Sequence, residues 1–129
     1  MTTNVGVLIA DDSATFLRAA VAVVEATPGF ELLGAAKSGE QAVAVAATTS
    51  PDLVLIDVRM PGIGGLEAAQ RIREARPSAV VVMITAESDP PTAEAVSAVV
   101  DKQRFCPSCL EQIWREHGPN ENRHLSNGG

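Results

Sequence analysis

Three runs in this chain, Val5-Gly6-Val7-Leu8-Ile9-Ala10, Leu53-Val54-Leu55-Ile56 and Ala79-Val80-Val81-Val82-Met83-Ile84, are apolar without alternation. A strand with one solvated face alternates between apolar and polar residues. A run that does not alternate must be covered on both faces, as a parallel strand between helices is. The stretches between the runs repeat at helical spacing instead. Phe16, Leu17, Ala20, Val21 and Val24 predict a first helix, stopped at Pro28-Gly29. Phe30 to Ala36 reads as a further strand. Ser38-Gly39-Glu40 opens a second helix that runs to Ala47, and Leu66, Ala69, Ile72 and Ala75 predict a third, closed near Pro77.

The pattern weakens after Thr85. Pro90-Pro91 blocks an early helix, so the expected one is short, from Thr92 to Ser97. Ala98 to Val100 reads as a brief fifth strand. A last helix carries Leu110, Ile113, Trp114 and His117 on one face and ends at Gly118-Pro119. Five strand–helix units predict an α/β fold, a doubly wound five-stranded parallel sheet. Such sheets bind ligands at the carboxyl ends of their strands, near a topological switch point. Asp11, Asp12, Asp57, Thr85 and Lys102 each fall at or just after a strand end, so they are expected to converge on one pocket.

Bulk properties narrow the function. A chain of 129 residues with 46% hydrophobic residues suits one domain with a real core. Only 3% of residues are aromatic, so Val, Ala, Leu and Ile must fill that core. The domain is expected over residues 1–117, with a disordered tail over residues 118–129. Net charge is −6 and no block of Lys or Arg offers a phosphate footprint, which argues against direct nucleic-acid binding. The apolar stretches are too short to enter and span a bilayer. Met1-Thr2-Thr3-Asn4 shows no signal-peptide pattern, so a cytoplasmic location is expected.

Three carboxylates at the ends of two apolar strands are costly unless they have a task, and holding a divalent cation is the natural one. Taken singly, each residue has a plainer reading. Asp11 or Asp12 caps the first helix, Asp57 sits in a turn, Thr85 is an ordinary strand threonine and Lys102 is solvated. Taken together, they form a pattern. Asp11-Asp12, Asp57 with Met60-Pro61-Gly62 and Gly65, Thr85-Ala86 and Lys102 resemble, in that order, the receiver domain of bacterial two-component response regulators. The resemblance runs from Val5 to Glu116.

The resemblance implies a flavodoxin-like strand order and a specific chemistry. Asp57 would be the phosphoacceptor. Asp12, Asp57 and the backbone carbonyl of Arg59 would hold Mg²⁺, with Asp11 binding directly or through water. Lys102 would pair with Asp57 and then with the phosphoryl oxygens, and Thr85 would donate its hydroxyl to them. Arg59 and Glu87 occupy positions that tune dephosphorylation in the family. The implied partners are a histidine kinase or phosphotransfer protein as donor and an unknown output protein in trans.

The chain departs from that family at three places. Gln103 stands where proline usually follows the lysine. Val99 stands where a switching Tyr or Phe is common. The interval from Thr85 to Lys102 is short, so the fourth helix is expected to be shortened or rearranged and the output surface atypical. These departures keep a second reading open, a pseudo-receiver that signals by contact without phosphorylation. A small aspartyl phosphatase of the haloacid dehalogenase type is disfavoured, because it would carry aspartate at the position of Arg59. Cys106-Pro107-Ser108-Cys109 is a C-x-x-C at a helix start. It is readable as packing, as a redox pair, or as half of a zinc site with His117 and His124.

Overall fold

A computed structural model describes residues 4–91 and 93–119. The continuous apolar runs form strands β1 (Val5–Ala10), β3 (Leu53–Ile56) and β4 (Val80–Thr85), joined by β2 (Phe30–Ala36) and β5 (Ala98–Asp101). Helices α1 (Ala14–Ala26), α2 (Gly39–Thr49) and α3 (Gly64–Ala75) follow β1, β2 and β3, α4 (Pro107–His117) follows β5, and one 3-10 turn covers Lys102–Arg104. All strands pair in parallel in the order β2-β1-β3-β4-β5, the flavodoxin-like order. The chain leaves β1 toward β2, then crosses back to β3 on β1's other side. The switch point therefore lies between the carboxyl ends of β1 and β3, next to Asp11 and Asp57.

Both faces of the sheet are covered, as the absence of alternation requires. Every residue of β3 and β4 is buried. Val7 and Ile9 face a core shared with Leu17, Val24, Leu110 and Ile113 of α1 and α4. Leu8 and Ala10 face the other way, toward Ala42, Ala46, Ala68 and Ile72 of α2 and α3. Small alanines on that second side let α2 and α3 lie close to the sheet. Leu55 is 1% exposed. Leu55→Ala is expected to cost about 3 kcal/mol of unfolding free energy through the lost burial and the cavity. Val99→Ala should cost under about 0.5 kcal/mol. Urea denaturation of the two variants checks the contrast.

The interval between β4 and β5 departs from the sequence expectation of a helix at residues 92–97. Thr92 lies outside the described residues, and residues 93–97 form no helix. Glu94 and Ala95 make a turn instead, and Val96 N–H donates to Ala93 O at 3.0 Å. Ser97 N–H already bonds Val81 O of β4 at 2.7 Å. With two prolines at its start and sheet pairing at its end, the segment has no room for a helical turn. Its Ala95 carbonyl takes a bond from the Arg73 guanidinium at 3.2 Å, which ties it to α3. Val99, on edge strand β5, is left 44% exposed, the one exposed large hydrophobic among the described residues. The expected tail, apart from Gly118 and Pro119, lies outside the described residues, as does His124. No helix among the described residues is long and apolar enough to cross a membrane.

Candidate functional site

β1 and β3 run out of apolar residues at the same end of the sheet, and an aspartate follows each. Asp57 N–H donates to Ala10 O and Asp11 N–H to Ala36 O, both at 2.9 Å. These bonds extend the sheet by one residue and fix both backbones. Asp11 and Asp57 are 1% and 5% exposed, while Asp12 is exposed. One oxygen from each of the three carboxylates lies within 4.8 Å of the others. None of them caps α1: that cap is Ser13, whose Oγ accepts from Phe16 N–H at 3.2 Å. Asp11 Oδ1 accepts from Ser13 N–H at 2.8 Å, which holds the turn.

Lys102 reaches this group from the 3-10 turn after β5. Its Nζ lies 2.6 Å from Asp11 Oδ2 and 3.6 Å from Asp57 Oδ2. The expected pair with Asp57 exists, yet Asp11 is nearer. At that distance the Lys102 ammonium is the charge that serves the buried Asp11 Oδ2. The lysine also sits 4.8 Å above the Phe16 ring, a cation–π contact. Sequence reading places Phe16 on α1's apolar face and misses this contact, which joins residues far apart in the chain.

Where proline is usual in the family, Gln103 N–H donates to Asp101 Oδ1 at 2.9 Å. That bond caps the 3-10 turn carrying Lys102, and proline has no N–H to make it. The lysine is thus positioned by a carboxylate cap.

The electrostatics follow from burial. Desolvation, then the nearby Asp11 charge, hold the Asp57 carboxyl above the usual range; Lys102 and the Arg59 N–H oppose them in part. Burial alone depresses the Lys102 ammonium, but its contacts with Asp11 and Asp57 outweigh burial and leave it raised. Two buried carboxylates and an exposed third, each with an oxygen within 4.8 Å of the others, suit a hard divalent cation. Mg²⁺ takes oxygen ligands, needs few carboxylates and keeps waters.

Thr85 ends β4 beside this group, and it pairs in register with Asp101, next to Lys102. It is buried, and its Oγ1 accepts from Glu87 N–H at 3.1 Å. Arg59 and Glu87 form a two-pronged ion pair across the mouth, Nε to Oε2 at 2.8 Å and a second contact at 2.9 Å. The loop between β3 and α3 is shaped by glycine. Gly64 has φ +81°, and a Cβ on Gly65 would collide with the Asp57 carbonyl oxygen. The third helix can therefore begin directly against the backbone of Asp57 only with glycine there.

Cys106 and Cys109 lie apart from the pocket, at the start of α4. Among the described residues, the His, Cys, Asp or Glu side chains that group closely enough to hold a metal are Asp11, Asp12 and Asp57. Cys106, Cys109 and His117 form no such group.

The family model for the response regulator receiver domain matches residues 7–103. A protein-glutamate methylesterase/protein-glutamine glutaminase of Geobacter metallireducens is 39% identical over 97 residues, covering 73% of this chain and 28% of that protein. Response regulator GacA of Pseudomonas viridiflava is 39% identical over 85 residues, covering 65% of this chain and 40% of that protein. The chain thus spans less than half the length of these curated relatives. The response regulator domain of Thermotoga maritima CheB superposes with TM-score 0.76 at 25% identity, over 87% of this chain and 95% of that one. CheY of Borrelia burgdorferi, solved with CheX, BeF3 and Mg²⁺, superposes with TM-score 0.77 at 23% identity, over 88% and 90% of the two chains. The acidic pocket at the β1–β3 switch point, with its threonine and lysine, thus stands in a chain that belongs to the response regulator receiver domain family of two-component systems.

Proposed function

We propose that this chain is a phosphorylatable receiver, with Asp57 accepting a phosphoryl group from a histidine kinase or phosphotransfer protein. The observation that carries the reading is the meeting of Asp11, Asp12, Asp57 and Lys102 in one partly buried site at the switch point. An Asp57 carboxylate oxygen attacks phosphorus, a P–O bond forms, and the bond from phosphorus to the donor's imidazole nitrogen breaks. Such a transfer asks mainly for positioning and charge neutralisation. Asp11, Asp12, Asp57 and the Arg59 carbonyl are the residues to hold Mg²⁺. When bound, that ion neutralises charge on the phosphoryl oxygens.

The chain's own groups do the rest. Lys102 holds one positive charge beside the acceptor, and its raised pKa keeps it protonated at neutral pH. Thr85 Oγ1 already accepts from Glu87 N–H, so its own proton is left for a phosphoryl oxygen. That contact would draw residues 85–87 inward and load the Arg59–Glu87 pair, biasing a two-state loop. The output follows by contact with a protein in trans, and a cytoplasmic location fits that role.

A second reading is a pseudo-receiver that signals without phosphorylation. It is favoured by the helix-free 86–97 connection, as far as it is described, and by Val99 at the switching position. Incubation with a phosphorylated histidine kinase or phosphotransfer protein from the same cell separates the two. Label moving to the wild type and not to Asp57→Ala supports the phosphoacceptor. Label on neither, across every such donor, supports the pseudo-receiver.

A further inference from the structure

The segment joining Lys102 to α4 holds a nucleophilic pair that the aspartate pocket does not use. Cys106 is the N-cap of α4, Pro107 its first residue and Cys109 its third. Both thiols are partly exposed and unbridged. Cys106 Sγ lies 3.3 Å from Ser108 Oγ. That hydroxyl, followed by the Cys109 N–H, draws the Cys106 thiol below its usual range, while burial pushes the Cys109 thiol above it. One sulfur is thus prepared to attack and the other to wait, which is the division of labour in a C-x-x-C pair.

We propose that Cys106 and Cys109 form a peroxide-oxidisable dithiol, with Cys106 the attacking sulfur and Cys109 the resolving one. The Cys106 thiolate attacks the terminal oxygen of a hydroperoxide. An S–O bond forms, the O–O bond breaks, and the alcohol or water leaves. The sulfur is oxidised by two electrons to sulfenic acid and the peroxide is reduced by two. Cys109 then attacks that sulfur. An S–S bond forms, the S–O bond breaks, and hydroxide leaves as water with the Cys109 proton.

Closing the bridge moves the chain. A disulfide holds its Cβ atoms about 3.5–4.5 Å apart, while Cys106 is an extended N-cap and Cys109 is fixed inside the helix. Cys106 stands outside the helix proper, so it is the residue to shift. Phe105, its neighbour, packs on the α1–α4 core and lies 6.4 Å from the Phe16 ring, which the Lys102 ammonium also contacts. Phe105 N–H also bonds Lys102 O at 3.4 Å. Oxidation therefore loosens Lys102 from Asp11 and Asp57 and removes a competitor for any cation there. This consequence rests on the Mg²⁺ reading above; the dithiol chemistry does not.

The test treats full-length protein with stoichiometric hydrogen peroxide and records intact mass. Wild type should lose two hydrogens, reversibly with dithiothreitol. Cys109→Ser should stop at a sulfenic acid that a cyclic dione traps. Cys106→Ser should react at least about tenfold more slowly than either. Equal reactivity of Cys106→Ser, or no disulfide in the wild type, overturns the proposal. Calorimetric titration with MgCl₂ then compares reduced and oxidised wild type, with about fivefold tighter binding expected after oxidation. An unchanged constant overturns the link to Lys102. Absence of Mg²⁺ binding in the reduced protein overturns the pocket reading instead, whatever the thiols do.

Discussion

Lys102→Ala should lower the unfolding free energy by about 3 kcal/mol and at the same time abolish most phosphoryl transfer. The stability loss follows from what the lysine leaves behind. Asp11 is 1% exposed and Lys102 Nζ is the cation 2.6 Å from its Oδ2. Breaking a buried ion pair by removing one partner strands the other charge in a poorly solvated place. Lys102→Met keeps an aliphatic stem and removes the charge, and it should lose nearly as much, which separates charge from packing. Saturating Mg²⁺ should recover part of the loss in both variants, because it supplies positive charge to the same oxygens. Urea denaturation with and without MgCl₂ reads the stability changes, and intact mass after incubation with MgCl₂ and acetyl phosphate reads the transfer. A loss below about 0.5 kcal/mol would mean that Asp11 does not depend on the lysine.

Asp57→Asn should act in the opposite direction without metal. Burial and the Asp11 charge hold the folded-state pKa of Asp57 above its ordinary value of 3.8. Its ionisation therefore costs stability. The cost is absent below the ordinary pKa and is incurred in full once the pH has risen through the folded-state value. At pH 7 the amide removes that cost while keeping the shape. The metal-free variant should melt higher, by roughly 4 °C for each kcal/mol relieved. In MgCl₂ the order should reverse. At a hundred times its dissociation constant a ligand adds about 2.7 kcal/mol to the wild type, and the variant, one carboxylate short, should gain little. Thermal melts at pH 7 and at pH 4, each with and without MgCl₂, check both signs. A variant that melts lower than the wild type without metal would contradict the electrostatic account.

The architecture was legible wherever the sequence carried a continuous apolar run. Expected and observed bounds coincide for Val5–Ala10, Phe30–Ala36 and Leu53–Ile56, and differ by a residue at Val80–Thr85 and Ala98–Asp101. Burial on both faces leaves β1 and β3 little freedom in where they start, while β2, a partly exposed edge strand, is bounded by Pro28-Gly29 before it and Ser38-Gly39 after it. The 86–97 connection carried no such signal. Its course depends on Ser97 bonding to Val81 and on Arg73 reaching Ala95, contacts between segments distant in the chain.

The site followed the same division. Strand ends drew attention to Asp11, Asp12, Asp57, Thr85 and Lys102, because a parallel sheet gathers its carboxyl ends. How those groups partner one another was not legible. That Lys102 lies nearer Asp11 than Asp57, rests on Phe16 and is aimed by Asp101 through Gln103 depends on relative burial and on a local cap. The cap of α1 turned on a similar point, since Ser13 was one of three adjacent polar residues able to supply it.

The central claim is that Asp57 accepts a phosphoryl group, and intact mass after incubation with MgCl₂ and acetyl phosphate tests it most directly. Wild type should gain one phosphoryl group, gain none when MgCl₂ is left out of the labelling reaction, and Asp57→Ala should gain none. Equal gain in the variant, or no gain in a wild type that has been shown to bind Mg²⁺ and has been offered phosphohistidine donors as well, would contradict the account.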